Sequence, residues 1–194
     1  AVLPALADIS AYLYNDHNTD PLIKAALVHY QFEMIHPFER YNGIVGRIIV
    51  PMVLRDTIGE AMPLICLSEY LYHNKNEYFD LLRTTQYSGG YIRWIKFFVC
   101  AVGEAAKQSA KLLAQYENDI LWAEQQIKEN TLSSKSIWGV YNYLKRYPVS
   151  SISRATEQTR FSFNSISKAM QSLKETGIVQ ETAAVRNRIW VHKK

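Results

Sequence analysis

The residues able to act on an anion lie in one short run, Ile35-His36-Pro37-Phe38-Glu39-Arg40-Tyr41-Asn42-Gly43-Ile44-Val45-Gly46-Arg47. His36 offers an imidazole, the side chain best suited to accept a proton near neutrality. From Asn42-Gly43 onward the apolar residues Ile44, Ile48, Ile49, Met52 and Val53 have helical spacing. A helix start presents unpaired backbone N–H groups and a partial positive charge, and both favour phosphate. Arg47 falls on the helix face above Gly43, and Arg40 adds a second guanidinium in the loop. A base beside an anion site is the layout of a phosphate- or nucleotide-handling enzyme. Each residue also has a structural alternative: His36 as a packing histidine, Asn42-Gly43 as a helix cap, Arg47 as an ion-pair partner for the fold.

Helices must deliver this run. Residues 1–15 are amphipathic, with Leu3, Leu6, Ile9, Tyr12 and Leu13 on one face. Asp20-Pro21 starts a second helix, with Asp as N-cap and Pro at the first helical position. It runs to Ile35 with Ile23, Leu27, Tyr30, Gln31 and Met34 along it, and Pro37 stops it after His36. The helix from Asn42 is expected to reach Thr57, bent by Pro51 and closed by Gly59. Pro63 ends the next loop. Leu64–Gln86 reads as helical with a break at Asn74-Lys75-Asn76, and Tyr91–Asn130 as one or two long helices. His29 and His73 are expected on helix faces or the surface, as is His192, and His17 in a turn.

The run resembles the signature of Fic (Fido) proteins, HPFx(D/E)GNGRxGR, against HPFERYNGIVGR here. His36, Pro37, Phe38, Asn42, Gly43, Gly46 and Arg47 match. The preceding helix from Pro21 and the stretch Leu67–Leu82 are also similar to that family. The resemblance implies AMP transfer from ATP to a Ser, Thr or Tyr hydroxyl of a protein target. His36 would be the base, and Asn42, Gly43 and Arg47 would hold phosphates. Tyr78 would lie near the nucleotide base, although as a core ring it needs no such role. Three departures fall on the chemistry. Arg40 replaces the acid that holds Mg²⁺; a guanidinium is cationic and has no acceptor, so it argues against the metal. Arg40 could instead contact phosphate itself. Ile44 removes the first arginine, and Tyr41 puts a ring where the family has glycine. Each lost contact can be worth ~10²-fold in rate, so the expectation is a degenerate motif with weak or no AMP transfer, with no metal ligand assigned. The family's docking flap and its inhibitory (S/T)xxxE(G/N) helix do not occur before His36; in related chains they lie N-terminal to the point where Ala1 begins, which suggests a fragment of a longer protein.

The rest of the chain carries a second expectation. Of 194 residues, 48% are hydrophobic and 21% charged, an ordinary globular composition able to bury a core. No apolar run reaches the ~20 residues of a membrane span. Cys66 and Cys100 lack metal-site spacing and are expected as buried free thiols in a cytoplasmic protein. Residues 1–130 hold 11 Lys or Arg against 15 Asp or Glu, a net of −4, whereas residues 131–194 hold 11 against 3, a net of +8. The basic part begins with a polar linker over Thr131–Ser136. It then reads as helices Ile137–Tyr147, Ser150–Gln158 and Asn164–Thr176, followed by strands Ile178–Thr182 and Arg188–His192. That is the order of a winged helix-turn-helix, a fold that binds duplex DNA or protein. Asn164, Ser165, Ser167, Lys168 and Gln171 are the groove candidates, and Arg160, Lys174, Arg186 and Arg188 the phosphate candidates. The expected architecture is therefore mainly α: a Fic-like helical domain over 1–130, then a small α+β winged helix over 131–194. Its main alternative function is that of a DNA-binding or nucleotide-sensing regulator. A homodimer is compatible with either.

Overall fold

The computed structural model describes residues 2–59, 65–129, 134–182 and 189–192. Pro63, residues 131–133 of the 131–136 linker and the 183–187 connection lie outside them. Two compact units divide the chain, Ala1–Leu112 and Leu113–Lys194.

The first unit is helical: α1 (Val2–Asn15), α2 (Pro21–Ile35), α3 (Asn42–Val53), α4 (Arg55–Ile58), α5 (Leu67–His73), α6 (Lys75–Ser88) and the first part of α7 (Tyr91–Glu129). Asp20 caps α2 by accepting from the Leu22 and Ile23 N–H groups at 2.9 and 3.4 Å. Pro51 sits inside α3, where it cannot donate to the Arg47 carbonyl, and the helix gives way at Leu54 rather than reaching Thr57 unbroken. The expected break falls at Asn74, between α5 and α6.

Of the residues spaced along α2, Ile23, Leu27, Tyr30, Gln31 and Met34, only Tyr30 is buried. Ala25, Ala26, Val28, His29, Tyr30 and Phe32 are buried, so they cover more than one face. The His29 and Tyr30 rings of α2 lie against Tyr91, Trp94 and Phe98 of α7 and Tyr78 of α6. Trp94 is wholly buried and donates through Nε1 to the Ala26 carbonyl at 2.8 Å, which satisfies both groups in an apolar interior. His29 is not a surface residue; it is buried in this core. Both cysteines, conversely, are exposed.

The second unit holds the remainder of α7, α8 (Lys135–Arg146), β1 (Val149–Ser151), α9 (Ile152–Gln158), α10 (Phe163–Glu175), β2 (Val179–Glu181) and β3 (Ile189–His192). Ser134, Ser151 and Ser162 cap α8, α9 and α10. The sheet is antiparallel in the order β1-β3-β2, with Ser150 opposite Trp190 and Gln180 opposite Val191. The sequence reading missed β1, because three residues between a proline and a serine cap are too few to show alternation. Ile166, Met170, Leu173 and Ile178 are buried, with Ile152 partly buried against them. Ala123 and Ile127 of α7 join this core, so the division at Leu112 precedes the polar linker at 131.

Candidate functional site

His36 closes α2 in the left-handed conformation (φ 48°, ψ 58°), and its N–H donates to the Phe32 carbonyl at 3.1 Å. Pro37 disfavours the right-handed helical conformation at the residue before it, so the chain turns off the helix there. The imidazole is left exposed.

Asn42 holds the loop shut. Its Oδ1 accepts from the Phe38 N–H at 2.9 Å and its Nδ2 donates to the Phe38 carbonyl at 2.6 Å. The side chain is buried and spent on these two bonds, so Asn42 contributes loop shape and its backbone N–H. Tyr41 precedes α3 with φ 69°, and no side chain caps the helix. The first turn of α3 thus keeps its N–H groups without a side-chain acceptor. Where the resembling family has glycine, this chain has a 70% exposed tyrosine in a conformation that favours glycine.

Arg47 belongs to the same turn. A Cβ on Gly43 would stand 3.1 Å from Arg47 Nη1, so the glycine is what lets the guanidinium lie over the helix start. Arg47 Nε donates to Ser68 Oγ at 3.0 Å, so Ser68 at the beginning of α5 aims it. Arg40 and Glu39 are exposed in the loop. Among the described residues no group of three His, Cys, Asp or Glu side chains could hold a metal. The Arg40 guanidinium is cationic and has no acceptor to offer a hard cation.

Beneath the loop lies a network that the sequence reading did not anticipate. His29 Nδ1 is 3.0 Å from the Gly46 carbonyl and Nε2 is 3.1 Å from the Tyr78 hydroxyl. A carbonyl can only accept, so Nδ1 carries the proton and Nε2 accepts from Tyr78. Burial lowers the His29 pKa to about 4; the Gly46 bond opposes this, and the Arg47 charge adds to it. Tyr78 is likewise raised, chiefly by burial. Its ring lies in the core and its hydroxyl on His29. Glu33 Oε1 is buried with no hydrogen-bond partner among the described residues, and a Cβ on Gly46 would fall 2.3 Å from it. Burial raises the Glu33 carboxyl, against the lowering charges of His36 and Arg47. A signal for this was available: His29, Glu33 and His36 recur at four and three residues, placing them along one side of α2.

In the second unit α10 buries Ile166, Ala169, Met170 and Leu173 and exposes Asn164, Lys168 and Gln171 on the opposite side. Ser165 Oγ lies 3.0 Å from the capping Ser162. Gln171 donates to Glu175 at 3.1 Å, and Lys174 pairs with Glu181 of β2 at 2.6 Å. Arg160 is exposed beyond α9; Arg186 and Arg188 fall outside the described residues.

The fold is similar to that of a Fic family protein from Desulfovibrio desulfuricans G20. That protein is 16% identical, with a TM-score of 0.54 over the whole of this chain, which spans 55% of its length. The model of the Fic/DOC family matches residues 1–54, a segment that contains all of His36–Arg47. Among the described residues no helix is long and apolar enough to cross a membrane.

Proposed function

We propose that the first unit is a Fic-type phosphate-binding site whose capacity for AMP transfer is strongly reduced. The observation that carries this is the pairing of a preserved frame with altered chemistry. His36, the uncapped start of α3 and a Ser68-held Arg47 stand together, while Arg40 and Ile44 occupy the acid and first-arginine positions. In the parent reaction a target hydroxyl attacks the α-phosphorus of ATP, His36 takes the hydroxyl proton, and pyrophosphate leaves. Here the backbone N–H groups and Arg47 support the anion, but no acid balances a metal and no second α3 arginine meets the β-phosphate. Incubation with labelled ATP and Mg²⁺ or Mn²⁺, followed by mass spectrometry, tests this. The chain is expected to label weakly or not at all, while the triple variant Arg40→Asp, Tyr41→Gly, Ile44→Arg gains at least an order of magnitude. Robust labelling of the unaltered chain that is lost in His36→Ala would overturn the reading.

A second reading, duplex DNA binding by the basic unit, is supported by the outward face of α10. Asn164, Lys168 and Gln171 are short or flexible polar side chains at helical spacing, suited to base edges and backbone. Arg160 flanks them. Affinity for a labelled duplex should fall steeply with salt, and Arg160→Ala should weaken it at every sequence and flatten the salt slope by about one. No binding at low salt rules this reading out.

A further inference from the structure

Beside the anion site lies a concavity of about 370 Å³ between α3 and the start of α5. Its α3 wall is a stripe at four-residue spacing: Ile44, Ile48 and Met52, 47%, 54% and 61% exposed. Ile65 and Leu67 contribute to the opposite wall, and Cys66 lines it. Its polar groups are Arg47 and Ser68, bonded to one another. A largely apolar cleft with a few fixed polar groups is the usual form of a small-molecule site. Here the polar group is cationic, and its Nη1 lies over the first turn of α3. The same guanidinium therefore serves both the anion site and the apolar cleft. Ile44 sharpens the contrast, since an arginine there would make the stripe basic and suit a polyphosphate.

We propose that this cleft binds an amphiphilic anion: one phosphate-like group on Arg47 and the α3 start, with an alkyl or aryl body along Ile44, Ile48 and Met52. The inference rests on the anion site of the preceding section but not on AMP transfer. Charge complementarity fixes the occupant's orientation. Among the described residues the lining offers little for the polar edge of a nucleobase, so the body it suits is hydrocarbon.

Isothermal titration of the full chain with inorganic phosphate and with butyl, hexyl and octyl phosphate tests the idea. Affinity should rise about fourfold for each methylene that becomes buried. Ile48→Gln, at an exposed position, should flatten that series while leaving inorganic phosphate unaffected; Arg47→Gln should weaken every member. Octyl phosphate should also slow alkylation of Cys66 but not of Cys100, and octyltrimethylammonium should protect neither. If inorganic phosphate binds but affinity is independent of chain length, the cleft proposal fails and the anion site stands. If no phosphate ester binds, both fail. Equal protection of Cys66 by the cationic amphiphile would likewise overturn the proposal.

Discussion

Tyr41 and His29 show how single residues carry the loop's properties. Tyr41 takes φ 69° with its ring in solvent, so no packing repays the left-handed backbone. Tyr41→Gly is expected to stabilise the chain by about 1 kcal/mol in urea denaturation, the relief of strain exceeding the entropy that glycine adds to the unfolded state. His29 acts through pH. Its folded pKa, about 4, lies below the unfolded value near 6.5, so the unfolded chain binds the extra proton. The stability contributed by neutral His29 is thus complete above pH 6.5 and is lost as pH falls toward 4, by roughly 3 kcal/mol. Glu33 works in the opposite sense: its raised pKa means the folded state takes up a proton first on acidification. Denaturation curves at pH 7, 6, 5 and 4 should show the loss, and Glu33→Gln should make it steeper. A flat profile would mean that His29 is not held neutral by burial.

At the scale of elements, the sequence disclosed what short-range chemistry decides. The Asp20 cap, the stop at Pro37 and the break at Asn74 each depend on one or two neighbours, and each stands where its residues suggested. What stayed hidden depends on partners distant in sequence. His29 is buried because Gly46 and Tyr78 come from two other helices, and a single-helix pattern cannot announce that. Cys66 and Cys100 sit among apolar neighbours in sequence yet point outward. The candidate site divides in the same way: His36, Gly43 and Arg47 were legible from their run, whereas Ser68, 21 residues beyond Arg47, was not. Gly139 offers an element-scale test in α8. A Cβ there would stand 2.2 Å from Phe161 Cε2 and 2.7 Å from Cζ. Gly139→Ala gains about 1 kcal/mol in helix propensity, yet the ring must shift, and overpacking costs about 1–3 kcal/mol. A net loss of stability is expected by thermal unfolding, and Phe161→Leu in the same chain should recover part of it.

For the whole molecule, charge and connectivity matter most. The net of +8 in residues 131–194 against −4 in the preceding 130 is legible from sequence, and it predicts which end a polyanion meets. The sequence boundary at 131 follows polar composition, whereas the compact units divide at Leu112 because Ala123 and Ile127 pack with Tyr141, Leu144 and Leu173. Tyr141 also donates to the Ile120 carbonyl at 3.3 Å, and Lys145 pairs with Glu124 at 3.1 Å. A fragment beginning at Leu113 should therefore unfold cooperatively, while one beginning at residue 131 should bind a hydrophobic dye and melt without a sharp transition. Modularity has a practical consequence. The division that keeps the basic unit whole falls inside the continuous helix α7, where no loop marks it.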